Sequence, residues 1–200
     1  MEESFTEIYK TRHWGYDGSD EYNGSSGPGS EVYYNVSYIS FVKNFVLQNK
    51  LQSVIDLGCG SCKCLNSIYD NLNVQYTGYD CYKDIIEYNI KNNLNEKYNF
   101  IHLDIFKDKE QIISGDMCIL KDILMHWKLV YICEFLEYLI ESKKFKYILI
   151  INCGYQNEDN TDVLENGNWR PLSANYQPLK KYNCKVVGYY NAKEISLICL

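Results

Sequence analysis

Three short apolar runs, each ending in an acid, constrain the fold of this chain more than any other feature. The first is Val54-Ile55-Asp56-Leu57-Gly58-Cys59-Gly60. It reads as a buried strand that turns sharply, because glycines at alternate positions let backbone N–H groups approach a ligand with no Cβ in the way. A helix expected directly after it would aim its positive end at the same place. The second run is Val74-Gln75-Tyr76-Thr77-Gly78-Tyr79-Asp80, and the third is Phe100-Ile101-His102-Leu103-Asp104. Three consecutive strands would then deliver carboxylates to one edge of one sheet. Ligands of open α/β sheets bind outside the carboxyl ends of the strands, so acids gathered there read as a site.

The remaining pattern alternates strand and helix. From Glu31 to Lys50 a helical face is expected, carrying Val32, Val36, Ile39, Val42 and Val46. Strands are expected at 52–57, 74–80, 98–104, Met117 to Leu120 and 147–151, with helices at 61–71, 82–93 and 127–143 between them. Tyr82, Ile86 and Ile90 would align on the second of these helices. Leu129, Ile132, Cys133, Leu136, Leu139 and Ile140 would be buried by the third. The run Tyr147-Ile148-Leu149-Ile150-Ile151 is continuously apolar, as in a parallel sheet covered on both faces. Two further runs, Lys185–Tyr190 and Glu194–Leu200, read as an antiparallel hairpin. The fold class is therefore α/β: a Rossmann-like, doubly wound, mostly parallel seven-stranded sheet with a C-terminal antiparallel hairpin. The first 30 residues, closed by Gly24-Ser25-Ser26-Gly27-Pro28-Gly29-Ser30, are expected to lack regular structure. The polar loop 153–182 is too long for a simple connection and reads as functional or disordered.

Composition narrows the partners. A chain of 200 residues fits one domain, here divided into a lid segment (1–30), an N-terminal helix (31–50) and a core (51–200). The net charge of −6, from 20 basic against 26 acidic residues, argues against nucleic acid, since phosphate binding needs a basic surface. No apolar run approaches a membrane span and Met1-Glu2-Glu3 does not open a signal peptide, so a soluble cytoplasmic protein is expected. Nine cysteines, an odd number, read as reduced core residues. Cys62-Lys63-Cys64 lacks the second pair or histidines that zinc would need.

Five parallel strands, the Asp56-Leu57-Gly58-Cys59-Gly60 turn and the terminal hairpin resemble the class I S-adenosylmethionine (SAM) dependent methyltransferases over residues 51–200. A dinucleotide-binding dehydrogenase would show G-x-G-x-x-G, and Lys63 stands where its third glycine belongs. The resemblance implies that Asp56, Gly58, Cys59 and Gly60 line the methionine moiety and that Asp80, with Cys81, holds the ribose. Asp80 lies about 20 positions after Gly60, the spacing at which nucleotide-binding units place that carboxylate. Asp104 and Ile105 would flank the adenine, and Lys121 would belong to the donor pocket. S-adenosylhomocysteine (SAH) would be the product, and Ile119–Trp127 would face methyl donor and acceptor. Phe5–Lys10, His13-Trp14-Gly15, Ser26–Ser30, Asp122-x-x-x-His126 and Trp169-Arg170-Pro171-Leu172 resemble glycan-associated methyltransferases of bacteria and large DNA viruses, some acting on rhamnose within larger glycan-synthesis polypeptides. That group often carries Asn-Asp after strand five. Here Asn152 precedes Cys153, which leaves the need for a metal open.

SAM carries an already activated methyl group, so an alcohol acceptor asks of the protein only alignment and removal of a proton. His126 and Asp122 are the candidate bases, with helix capping and donor binding as the competing roles. His102, inside a strand pattern, reads as structural. His13, Trp14, Asn152, Trp169 and Arg170 are the candidate acceptor contacts. Trp14, Tyr16, Tyr22, Tyr155, Trp169 and Tyr176 fall in loops, where flat rings suit the C–H faces of a carbohydrate acceptor. The readings left open are a sugar O-methyltransferase, a methyltransferase for another small acceptor, and a catalytically silent SAM-binding module.

Overall fold

The computed structural model describes residues 1–16, 22–159, 162–163, 165 and 167–200. Residues 17–21 of the expected lid and 160, 161, 164 and 166 of the long loop lie outside the described residues. The chain divides into two compact units, Met1–Lys109 and Glu110–Leu200.

The first unit contains α1 (Glu2–Lys10), 3-10 turns at Pro28–Ser30 and Val32–Tyr34, and α2 (Val36–Gln48). Then follow β1 (Ser53–Leu57), α3 (Leu65–Tyr69), β2 (Gln75–Asp80), α4 (Lys83–Asn92) and β3 (Tyr98–His102). β1 runs parallel to β2, pairing Ser53 with Gln75 through Leu57 with Tyr79. β2 runs parallel to β3, pairing Tyr76 with Tyr98 through Asp80 with His102. With a strand on each side, β2 is buried from Tyr76 to Asp80, Thr77 and Asp80 included.

Four local expectations are corrected here. Residues 2–10 are helical although no regular structure was expected: Phe5 and Tyr9, four apart, form one buried face on an otherwise polar helix. The second helix begins at Val36 and not at Glu31. Asn35 folds the chain back before it, donating through Nδ2 to the carbonyls of Gly29 at 2.9 Å and Glu31 at 2.7 Å. The buried face of α2 is consequently Tyr38, Val42 and Val46, while Val32 and Val36 are exposed. The helix expected at 61–71 shortens to Leu65–Tyr69, because Cys62 takes a left-handed φ of 50° that a continuous helix cannot contain. On α4 the buried positions are Ile85, Ile86 and Asn89, and Ile90 faces outward.

The second unit contains β4 (Met117–Lys121), a 3-10 turn at Leu124–His126, α5 (Leu129–Glu141), β5 (Tyr147–Cys153), a 3-10 turn at Leu179–Tyr182, β6 (Lys185–Tyr190) and β7 (Lys193–Cys199). α5 starts later than expected because Lys128 is extended; it buries Ile132, Phe135, Leu136 and Leu139, leaving Leu129, Cys133 and Ile140 at its margins. β5 pairs in parallel with β4 and antiparallel with β7, which forms the expected hairpin with β6. The sheet is seven-stranded and mixed, running β3-β2-β1 in the first unit and β4-β5-β7-β6 in the second.

The second half of the long loop is bound to this sheet. Leu172 N–H donates to the Cys153 carbonyl at 2.9 Å. Glu194, 1% exposed on β7, accepts from Ser173 Oγ at 2.6 Å, Ala174 N–H at 2.7 Å and Ser196 Oγ at 2.5 Å. A buried carboxylate needs such donors, and nothing in the local sequence announces them.

Candidate functional site

In the first unit the turn after β1 is shaped by Gly58 (φ 78°) and Gly60 (φ 56°), a left-handed pair that side chains disfavour. Gly58 and Cys59 N–H groups both donate to the Tyr79 carbonyl, at 2.7 and 2.9 Å, which pins the turn to β2. A Cβ on Gly60 would lie 3.2 Å from Ser26 Oγ and 3.8 Å from the Tyr9 hydroxyl. Two buried polar atoms beside this turn, Ser61 Oγ and Asn89 Oδ1, have no hydrogen-bond partner. Such orphans beside a side-chain-free cradle fit a polar ligand.

Asp80 closes that cradle and is 3% exposed. Its Oδ2 accepts from Gly60 N–H at 3.0 Å and from the Tyr9 hydroxyl at 3.2 Å, while Oδ1 accepts from Tyr82 N–H at 3.0 Å. Burial raises its pKa above the ordinary aspartate value, and these donors oppose the rise. Asn89 Nδ2 donates to the Gly60 carbonyl at 2.7 Å, and Asp56 accepts from the Tyr76 hydroxyl at 2.9 Å. The thiols of Cys59 and Cys81 are pushed up chiefly by burial, so neither is a ready thiolate. Asp104 serves the backbone: Oδ2 accepts from Glu2 N–H at 3.0 Å, and Oδ1 from Phe106 and Lys107 N–H at 3.1 Å each. Burial would raise its pKa, but the Lys107 and Glu2 N–H groups and the Met1 ammonium, 3.2 Å away, bring it below the usual value. Ile105 is buried beside it. His102 sits at the surface, with Nε2 3.0 Å from the Cys81 carbonyl.

Gly60 is thus bonded directly to Asp80, while Gly58 and Cys59 are bonded to Tyr79, the residue before it. His13 is exposed beyond α1, and Trp14 packs on Phe5 and Tyr9 with ring centroids 6.0 and 5.5 Å away. Sequence reasoning gave no role to Tyr9, Ser26, Tyr82 or Asn89. Tyr9 and Ser26 lie in the quoted N-terminal motifs, but their partners are set only by the fold.

In the second unit Asp122 follows β4 with a left-handed φ of 58°, a strained value for a non-glycine residue. Its N–H donates to the Ile151 carbonyl at 2.8 Å, and its carboxylate accepts from Lys121 Nζ at 2.8 Å and from Lys193 Nζ. Burial alone would raise the pKa of Asp122, but the two lysines outweigh it and hold the group well below the usual carboxylate range. The sequence placed Lys193 in the turn of the C-terminal hairpin and gave it no role at the site; it is the first residue of β7. His126 is 9% exposed, with Nδ1 3.2 Å from the Gly167 carbonyl and 3.1 Å from the Asn168 carbonyl. Two carbonyl acceptors assign the proton to Nδ1 and the ring lone pair to Nε2. Burial lowers the His126 pKa, against the opposing pull of Asp122 and the two carbonyls.

Arg170 is buried, donating through Nη2 to the Trp127 carbonyl at 2.7 Å, with Nη1 3.8 Å from Asp162. Burial lowers its pKa. Its Nε and Nη1, and both amide atoms of Asn152 at the end of β5, are buried without a hydrogen-bond partner. Arg170 N–H donates to the Met125 carbonyl and Leu172 N–H to the Cys153 carbonyl, so the strip 170–172 links the His126 turn to the end of β5. Trp169 is exposed. Chemically, Asp122 is a fixed anion and a weak proton acceptor, whereas His126 is neutral and able to take a proton. Among the described residues no group of three or more His, Cys, Asp or Glu side chains is arranged to hold a metal ion, and no helix is long and apolar enough to cross a membrane.

No family model and no curated protein matches the chain. Solved structures do. The methyltransferase domain of bacterial CtHen1 superposes with a TM-score of 0.62 at 16% identity, covering 84% of this chain and 100% of that one. An O-methyltransferase family protein from Burkholderia thailandensis gives 0.62 at 14% identity, over 82% of this chain and 55% of that one. The N-terminal domain of EvdMO1, with SAH bound, gives 0.59 at 9% identity over 80% of each chain. At these identities the likeness is one of architecture: the chain has the α/β fold that these methyltransferases share.

Proposed function

We propose that the protein is a SAM-dependent O-methyltransferase acting on a sugar hydroxyl of a glycan, with rhamnose as one candidate sugar. The observation that carries the donor half of this reading is the bond from Gly60 N–H to Asp80, which ties the glycine turn of β1 to the acid ending β2. Gly58, Cys59, Gly60 and Ser61 would hold the methionine end, and Asp80 the ribose. Bound SAM supplies the activated methyl group. In the second unit, His126 would accept the acceptor's proton through Nε2, and Asp122, clamped by Lys121 and Lys193, would keep a fixed charge near the ring. The orphaned amide of Asn152 and the unbonded Nε of Arg170 are candidate acceptor contacts, and exposed Trp169 and Tyr155 suit the C–H face of a sugar. A cytoplasmic setting, within a larger glycan-synthesis polypeptide, is part of the same proposal.

A ligand at ~100 times its dissociation constant stabilises a fold by ~2.7 kcal/mol, so SAM and SAH are expected to raise the melting temperature by several degrees while NAD does not. Methyl transfer from labelled SAM to a panel of free and glycan-linked sugars tests the acceptor. A protein that binds SAH but methylates nothing in the panel favours the silent binding module, and NAD binding without SAH binding removes the methyltransferase reading.

A further inference from the structure

The Asp80 carboxylate is fully engaged. Two carboxylate oxygens offer about four acceptor sites. Gly60 N–H, Tyr82 N–H and the Tyr9 hydroxyl take three at 3.0, 3.0 and 3.2 Å, and the Cys81 N–H also faces the group. A ribose diol brings two further donors. The three N–H groups belong to the β1 turn and the end of β2, both fixed by the sheet. The Tyr9 hydroxyl is the side-chain donor of the set, and it arrives on a separate helix.

Tyr9 is also placed as a flat group in a slot. Its ring, 6% exposed, lies on that of Tyr82 with centroids 4.8 Å apart and an interplanar angle of 12°. The same helix reaches the next strand-end acid: Glu2 N–H donates to Asp104 at 3.0 Å. Ser25 N–H donates to the Tyr9 carbonyl and Ser61 N–H to Ser26 Oγ, both at 3.2 Å, so residues 25 and 26 tie α1 to the glycine turn. α1 therefore bridges the two acids assigned to the ribose and adenine, with an aromatic ring and a hydroxyl at the ribose end.

We propose that Tyr9 is a built-in competitor for the donor: its phenol holds the Asp80 acceptor that a ribose hydroxyl requires, so donor entry makes the Tyr9 hydroxyl leave Asp80 and loosens α1. The proposal rests on the donor reading above. α1 would then act as a gate set against the donor, and the free protein would keep its cradle dry and its buried acid satisfied.

Calorimetric titration of SAH into the full chain and its Tyr9→Phe variant tests this. Phenylalanine keeps the stack on Tyr82 and removes the competing hydrogen bond to a charged acceptor, so SAH is expected to bind roughly 10-fold tighter. Binding by the variant alone supports the proposal as well. If wild type binds SAH and the variant binds equally or more weakly, the competition is overturned and the donor reading stands. If neither binds, the donor reading falls and the proposal with it. Should Tyr9→Phe fail to fold, amide exchange of the wild type decides: saturating SAH should raise exchange across residues 2–10, and unchanged or slower exchange there would overturn the proposal.

Discussion

Lys193, the first residue of β7, donates to the carboxylate of Asp122, 71 positions earlier, while Lys121 donates to the other oxygen of the same group. A carboxylate held below its usual pKa contributes stability that is present above the unfolded value of about 3.9 and lost as pH falls through the folded value. Lys193→Met removes one of the two cations that depress it. The folded pKa of Asp122 rises, and acid unfolding, followed by circular dichroism, is expected to move to higher pH. At neutral pH the variant should lose about 1–3 kcal/mol in urea unfolding, less than a fully buried pair would cost. Wild-type acid and urea midpoints would show that the clamp is idle.

His126 is the base in the proposed reaction, and burial lowers its pKa below the ordinary imidazole value. Single-turnover methyl transfer should therefore rise with pH along a limb that lies below about 6.5. His126→Ala should lose that limb and ~10² to 10⁴-fold in rate while SAH affinity is nearly kept. The folded state holds this imidazole neutral, so its contribution to stability is present above about 6.5 and lost as pH falls toward the depressed folded value. Lost SAH binding in the variant would instead place His126 in the donor site.

Asp80→Asn preserves shape but replaces a charged acceptor with a neutral amide against Gly60, Tyr82 and Tyr9. SAH affinity is expected to fall at least ~10-fold, since hydrogen bonds to a charged group are worth ~1.5–3 kcal/mol each. Unchanged affinity in a folded variant would remove Asp80 from the donor site.

Gly78, on β2, is closed to side chains. A Cβ there would meet Cys59 Sγ at 2.9 Å, Cys59 Cβ at 3.0 Å and the Tyr76 ring at 3.1 Å. Gly78→Ala is expected to cost about 1–3 kcal/mol by overpacking and to weaken SAH, because the displaced residue is Cys59 of the glycine turn. Urea unfolding and SAH titration measure both effects, and a variant with native values in each would contradict the packing.

The strands were legible in the sequence because their signal is local. Residues 147–151 of β5 are a continuous apolar run, β2 ends in an acid after two tyrosines, and the glycines after β1 mark a turn whatever surrounds it. α1 was not legible: nine residues with two buried aromatics carry little periodicity, and its hold on Asp104 and Tyr82 is tertiary. Asp122 and His126 could be singled out by residue type and position, but not their division of labour. That depends on Lys193, which a loop and a hairpin bring to Asp122, and on the carbonyls of Gly167 and Asn168. Val32, Val36 and Ile90 show the opposite error, since a helical stripe can be drawn through residues that the packing leaves outside.

The carboxylate of Glu194 joins the fate of a surface loop to that of the sheet. Residues 173 and 174 cannot lift away unless a buried carboxylate loses two of its donors, a penalty that an ordinary surface loop does not carry. Loop segments ordinarily fluctuate open at little cost, while strands at the centre of a sheet open only when the whole domain does. Here the Ala174 amide belongs, by its acceptor, to the strand's cooperative unit, and it should exchange with solvent as slowly as the amides of β5 and β7. A chain of this length thereby keeps one end of its longest connection rigid without spending any secondary structure on it.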